Sequence, residues 1–301
     1  MFSKIVVGVD AREGGRDALA LAQGLARTFD GELIAVHVYP YDYFISRGAT
    51  GDVEAVMNEA AKETLTTELE RAGVTAEPIA VADDSPGRAL QRIAAERDAD
   101  LIVVGSAHRG RIGRVLAGDV TAGTLHGAPC PVLVAPRGHR EQNVELQTIG
   151  VGYDGSPESE AALELAHELA EAAGARLRVI DVVTPPAPGG PFPAYRPDWA
   201  EHAGASREEA EERLAAALAE LGDIATGDIA FGEPARELAF EGNHLDLLVT
   251  GSRGYGPLRR LMLGSTSSKL MHEAPCPVLV LTRTAVHEHD EVDASSATVP
   301  A

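Results

Sequence analysis

The chain repeats itself. Asp10 matches Asp154 at an offset of 144 residues, and at that offset Gly8 falls on Gly152, Leu33 on Leu177 and Val38 on Val182. The stretch between matches as well, Ala18, Leu19, Leu21, Ala22, Leu25 and Ala26 falling on Ala162, Leu163, Leu165, Ala166, Leu169 and Ala170. Later the offset becomes 146, so that Gly105-Ser106 falls on Gly251-Ser252, Gly118 on Gly264, and two Pro-Cys-Pro-Val-Leu-Val strings coincide. Two copies of one unit constrain the fold strongly, because whatever one half builds the other must build too. The change of offset belongs in surface loops, where insertions cost little. At 301 residues in total, each half has ordinary domain size and can bury its own core.

Within a half, apolar runs alternate with helical patterns. Lys4–Asp10, Leu101–Gly105 and most of Leu245–Gly251 are continuous apolar runs, as suits parallel strands covered on both faces. In the second half the strands are expected near 148–153, 176–183, 224–230, 245–251 and 277–282. Between the first two, leucines and alanines recur at helical spacing behind Ser156-Pro157, an N-cap followed by proline at the first helical position. Alternating strands and helices imply right-handed crossovers and a doubly wound α/β sheet. The reading is a first domain over 1–137, a linker over 138–147, a second domain over 148–283 and a disordered, acidic tail over 284–301. The proline-rich insert Thr184–Trp199 leaves the second strand of the second half, which puts it at the carboxyl edge of the sheet. Tyr39–Gly51 is its shorter counterpart.

Charge and composition narrow the partners. A net charge of -20 repels phosphate backbones and anionic membrane surfaces, so neither nucleic acid nor membrane is expected as a partner. No apolar run approaches the roughly 20 residues of a membrane span, and no basic segment followed by an apolar one opens the chain, so no secretory leader is expected. Cys130 and Cys276 occupy equivalent places and read as small buried residues entering a strand, consistent with a reducing, cytoplasmic setting. No second cysteine or histidine stands at metal-ligand spacing.

The motif that carries chemistry follows the fourth strand of the second half. Gly251, two residues, Gly254, nine residues and Gly264-Ser265 make a glycine turn that lets backbone amides approach a phosphate chain without a Cβ in the way. The chain then enters a helix at Gly264-Ser265, where free amides and the helix dipole favour an anion and the Ser265 hydroxyl adds a donor. Arg253 supplies a charge-assisted contact. A competing reading is that these glycines merely close a tight turn; strand before, helix after and Asp154 in register favour nucleotide binding.

From Ile149 to about Thr282 the chain resembles a universal stress protein domain of the ATP-binding type. The resemblance rests on Val-Gly-Tyr-Asp-Gly-Ser (151–156), the glycine loop and Ala-Pro-Cys-Pro-Val-Leu-Val (274–280). It implies two tandem Rossmann-like domains of flavodoxin-like strand order, each a five-stranded parallel sheet flanked by helices. It implies ATP, with Mg²⁺, across the carboxyl edge. Asp154 and the backbone at Val182 would hold adenine and ribose, and Gly251, Gly254, Gly264, Ser265 and Thr266 the phosphates; Gly155, Ser156, Ser252 and Arg253 complete the candidate site. It also implies pairing across the last strand of each domain, first within the chain and then in a homodimer through last-strand edges.

The first half departs from this pattern. Asp10, Val38, Gly105, Arg109 and Gly118 are its corresponding site residues, but His108 stands in place of Gly254, Asp119 in place of Ser265, and Ala11-Arg12 in place of Gly155-Ser156. A histidine tolerates positive φ less readily than glycine, and a carboxylate beside a triphosphate repels it. This second site is expected to be altered, weak or empty. Gly150-Val151-Gly152-Tyr153-Asp154-Gly155 formally matches a dinucleotide fingerprint, but its first two glycines lie inside the strand and the first half lacks the pattern. No nucleophile and base are assigned. The reading is an ATP-binding regulatory or stress-response protein without a dedicated catalytic apparatus; a slow ATPase and a nucleotide-free interaction scaffold are the alternatives.

Overall fold

The structure is a computed structural model of the chain. It describes residues 1–40, 51–107, 114–141, 145–184, 199–252 and 265–282. The proposed tail, and most of the proline-rich insert, fall outside them.

The first half runs β1 (Lys4–Gly8), α1 (Glu13–Phe29), β2 (Glu32–Tyr39), α2 (Gly51–Ala72), β3 (Glu77–Ala82), α3 (Pro86–Glu96), β4 (Leu101–Gly105), α4 (Asp119–Leu125) and β5 (Val132–Ala135). The second runs β6 (Thr148–Tyr153), α5 (Pro157–Ala173), β7 (Arg176–Val183), α6 (Trp199–Leu218), β8 (Ala225–Phe231), α7 (Pro234–Glu241), β9 (Leu247–Gly251), α8 (Ser265–Glu273) and β10 (Val278–Leu281). Within each half all strand pairs are parallel. The ten strands form one sheet in the order β3-β2-β1-β4-β5-β10-β9-β6-β7-β8. The order within a half is therefore 3-2-1-4-5, the Rossmann half order, and the expected flavodoxin-like order is corrected. β3 adds outside β2, and the chain then returns to the far side of β1. The direction of winding reverses between β1 and β4, and between β6 and β9.

The halves join where β10 meets β5 antiparallel, with Leu279 opposite Leu133. These two leucines are equivalent in the repeat, so a pseudo-twofold axis passes between them. Both last-strand edges are consumed inside the chain. A homodimer through those edges therefore has no edge to use, and that expectation is corrected too: the free edges are β3 and β8. The seam is reinforced by the Thr282 hydroxyl, which lies 3.1 Å from the Ala128 carbonyl and 3.3 Å from that of Cys130.

Two apolar layers cover the sheet. On one face Leu19, Leu21, Leu25, Leu65, Leu163 and Leu169 pack on Ile5, Val7, Leu101, Ile149, Val151 and Leu247. On the other Leu90, Ile93, Leu125, Leu238, Leu270 and Met271 pack on Val6, Ile102, Val132, Leu248 and Val278. Cys130 and Cys276 are both buried, as expected, and burial pushes the Cys276 thiol up to about 12, so it stays protonated at neutral pH. In the linker, Asp17 of α1 accepts hydrogen bonds from the amides of Gly138 (2.8 Å) and Arg140 (3.1 Å), and Glu13 pairs with Arg137 at 2.8 Å.

Candidate functional site

Ligands of doubly wound sheets bind outside the carboxyl ends of the strands, at the switch point. In the second half a cleft of about 240 Å³ opens there, between the ends of β6, β7 and β9 and the starts of α5 and α8. Asp154, Ser156, Val182, Gly251 and Thr266 all line it, so five of the residues picked from sequence converge.

The turn after β6 is built locally. Gly155 sits at φ +73, where a side chain would be strained, and a Cβ there would lie 2.6 Å from Arg213 Cδ. This turn swings Ser156 back on Asp154, whose Oδ1 accepts from the Ser156 amide at 3.1 Å and the Ser156 hydroxyl at 2.6 Å. Ser156 in turn caps α5, its Oγ accepting from the Ser159 amide at 3.3 Å, with Pro157 in the first turn. Ser159, missed in the sequence reading, receives the Asp154 amide on its hydroxyl at 3.3 Å and lines the cleft.

At the end of β9, Gly251 is packed against the Glu158 backbone with no room for a Cβ. Its carbonyl accepts the hydroxyl of buried Ser267 at 2.8 Å, which fixes the first turn of α8 to the strand. Ser267 carries a readable signal after all: its counterpart Thr121 donates to Gly105 in the same way at 3.2 Å. Ser252 continues the ladder, its amide donating to Leu281 at 3.0 Å, and Ser265 is the exposed first residue of α8. Arg253, Gly254 and Gly264 lie outside the described residues. Ile180, Val182, Pro234 and Leu238 make an apolar wall, and Thr184, at the start of the insert, and Glu158 line the cleft as well.

Two polar pairs stand beside the cleft. Asp181, 1% exposed, is held by Arg213 at 2.6 Å; burial pushes its carboxyl up and Arg213 pulls it back. The Tyr153 hydroxyl donates to Glu160 at 2.5 Å, and burial, then Glu160, push the phenol up to about 12. Both groups are committed to partners, and neither is poised as a base at neutral pH. Neither pairing was foreseen from sequence.

The first half places Asp10, Val38 and Gly105 at the corresponding strand ends, and Gly118 as the extended residue before α4. Arg109 and His108 lie outside the described residues. Asp119 is exposed at the first position of α4, where Ser265 stands in α8. The turn differs. Arg12 supplies no side-chain cap, so Asp10 takes over, its Oδ1 accepting from the amides of Arg12 at 3.1 Å and Gly15 at 3.2 Å. In each half one carboxylate oxygen of this aspartate accepts from the turn that follows, Asp10 from two backbone amides and Asp154 from the Ser156 amide and hydroxyl.

Comparison with known proteins agrees with this geometry. The universal stress protein family model matches twice, over residues 1–136 and 145–282. A universal stress protein of Mycolicibacterium smegmatis is 28% identical over 288 residues, covering 92% of this chain and 96% of that protein. One from Mycobacterium tuberculosis (strain ATCC 25618 / H37Rv) is 33% identical over 61% of this chain and 62% of its own length. Among solved structures, a universal stress protein from Archaeoglobus fulgidus superposes with a TM-score of 0.65 at 24% identity, covering 93% of this chain and 96% of that one; this likeness is one of fold.

Proposed function

Since the chain belongs to the universal stress protein family, with two copies of the domain in tandem, we propose that its second half binds ATP in the cleft between β6, β7 and β9. The protein then acts as a regulatory component of a stress response. The observation that carries this reading is the convergence of Asp154, Ser156, Val182, Gly251 and Thr266 on one cleft at the switch point, with the glycine motif of the sequence beginning at Gly251, at the end of β9, and closing on Ser265, at the start of α8.

The lining suits such a ligand. Ile180, Val182, Pro234 and Leu238 offer a purine an apolar wall. Asp154 is in place for a ribose diol. The first-turn amides of α8, which have no intrahelical partner, with the Thr266 hydroxyl, suit phosphates. Glu158 in the lining and the net charge of -20 oppose a bare triphosphate, so Mg²⁺ is taken to accompany it, bound to the phosphates. The first-half site is taken as the weaker, because Asp119 stands in the first turn of α4, where it would face a phosphate. The domains are placed at 1–137 and 148–283, joined by 138–147. No helix among the described residues is long and apolar enough to cross a membrane, and the cytoplasm is the proposed location. Any pairing of two chains would use a surface other than the last-strand edges.

Isothermal titration of Mg·ATP into the purified protein tests the reading. Wild type should take up about one nucleotide per chain, and Gly254→Val, which fills the phosphate space with a β-branched side chain, should lose it. No uptake by wild type, or unchanged affinity in a folded Gly254→Val protein, would overturn the proposal. Phosphate release measured in parallel separates a binder from a slow ATPase.

A further inference from the structure

The first half reaches across the seam to the helix that lines the second half's cleft. After β4 its loop returns along residues 114–117 in an alternating, strand-like manner. Leu116 faces its own half, its amide donating to the Ser106 hydroxyl at 3.2 Å and its carbonyl accepting from Ala107 at 2.8 Å. The residues on either side face the other half. The Val115 amide donates to the Ala274 carbonyl at 2.8 Å, and the Ala117 amide donates to the Met271 carbonyl at 2.7 Å. Arg114 adds its Nη1, which donates to the Glu273 carbonyl at 2.6 Å.

Those three carbonyls lie at the C-terminus of α8, where a helix has acceptors without intrahelical donors. A cation is favoured there by the helix dipole. In the first half a side chain of its own meets the corresponding helix end. At the end of α4, the Gln91 side chain donates to the carbonyls of Gly123, Thr124 and His126 at 2.9, 2.8 and 2.7 Å. Leu90 and Leu238 correspond, each packing on the matching strand glycine, Gly8 or Gly152. The residue corresponding to Gln91 is therefore Ala239, which has no donor. Among the described residues, α8 receives its cap from the other half.

We infer that residues 114–117 of the first half are a positioning element for the second half's cleft: they cap α8 from its C-terminus and so set where its first turn, with Thr266 and Ser267, meets the ligand. α8 spans nine residues, a short rigid rod of about 13 Å, fixed to Gly251 at one end and to the first half at the other. The degenerate loop is thereby kept for what it holds and not for what it binds. The inference that this tunes a ligand rests on the nucleotide reading; the cap itself does not.

The test uses the full-length protein in two arms, with Arg114→Ala, Arg114→Lys and Ala117→Pro, the last removing one of the two backbone donors. Without nucleotide, hydrogen exchange of the peptide spanning 265–274 should be roughly fivefold faster in Arg114→Ala and in Ala117→Pro, the scale of one lost helix cap. α5 should exchange as in wild type, and Arg114→Lys should restore much of the protection. Wild-type exchange of α8 in both disruptive variants overturns the cap. With Mg·ATP, the dissociation constant should rise by a similar factor at unchanged stoichiometry; unchanged affinity over a loosened α8 overturns the positioning role. If wild type takes up no Mg·ATP, the nucleotide reading and the tuning of a nucleotide fall together, and the first arm still decides the cap.

Discussion

Replacing His139 by leucine should make this protein more stable, and increasingly so as the solution is acidified. His139 is 5% exposed, and neither ring nitrogen has a hydrogen-bond partner among the described residues. A buried polar group without a partner forfeits about 1–3 kcal/mol of desolvation. Leucine has similar bulk and no polar atom, and the ring lines a cleft of about 300 Å³ with Leu21, Leu146 and Leu245 that can absorb the change of shape. A net gain of about 2 kcal/mol at pH 7.5 follows, allowing for imperfect packing. With an unfolding entropy of about 2.1 cal/mol/K per residue, that raises the melting temperature by about 3 °C. The pH dependence has a definite sign. Burial lowers the His139 pKa below its ordinary 6.5, with Asp17 opposing in part. As pH falls, the unfolded chain takes up the proton first. The stability tied to His139 is therefore complete above about pH 6.5 and is lost as pH falls from there toward the lower folded value. Between pH 7.5 and 5.5 the wild type should lose stability that the leucine variant keeps, by at most about 1.4 kcal/mol, the limit set by a ring that stays neutral in the fold. Urea unfolding of both proteins at the two pH values measures this. A leucine variant less stable at pH 7.5, or a gap that fails to widen at pH 5.5, would refute the reasoning.

Asp154→Ala should weaken Mg·ATP uptake by at least about tenfold, because the Ser156 hydroxyl loses its acceptor along with any ribose contact, while Asp10→Ala should leave the uptake unchanged; titration of both decides it. Thr282→Val should lower the urea midpoint by an amount equivalent to about 1–2 kcal/mol, since two buried carbonyls at the seam lose a donor. Glu68, 4% exposed in its side chain, is paired with Arg16 at 2.7 Å and Arg71 at 2.6 Å, and the Arg16 hydrogen bond leads in holding its carboxyl below the usual range. Glu68→Gln should cost about 1–2 kcal/mol at neutral pH, discounted because both arginines are partly exposed. That difference should be present above about pH 4.5 and fade as pH falls through the lower folded value of Glu68, which unfolding curves across acidic pH would show.

The repeat, the strands and the principal cleft residues were readable because each rests on local physics. A parallel strand buried on both faces must be a continuous apolar run, and an Asp-Gly-Ser-Pro turn must carry a left-handed glycine and a helix cap. Strand order was not read, although a signal for it exists. Leu33-Ile34-Ala35-Val36 in β2 is buried on both faces, which is the mark of an interior strand. β3 is half-exposed and contains Pro78, which cannot donate to a ladder and belongs at an edge. Weighing β2 against β3 in this way would have given 3-2-1-4-5. The pairing of Asp181 with Arg213 was out of reach for another reason. Arg213 comes from α6, beyond the proline-rich insert, and no periodicity in the chain states which helix face turns toward the end of β7. Ser267 was missed because attention rested on the glycines, while the hydroxyl that ties helix to strand lies one turn into α8.

The antiparallel seam explains why a half with an altered site can persist unshortened. β10 is flanked by β9 on one side and β5 on the other, and its residues Val278 to Leu281 are all buried. Without the first half, that strand would present a row of unpaired backbone groups beside an apolar face, which is the template for uncontrolled pairing. The C-terminal carbonyls of α8 would lose their donors at the same stroke. The first half's last strand and its 114–117 arm are therefore part of what holds the second cleft's walls in place, although the first half's own turn is built around Asp10. The two halves accordingly differ at the turn after the first strand, Ser156 against Arg12, and agree at the seam, where Val132–Val134 pair with Val278–Val280.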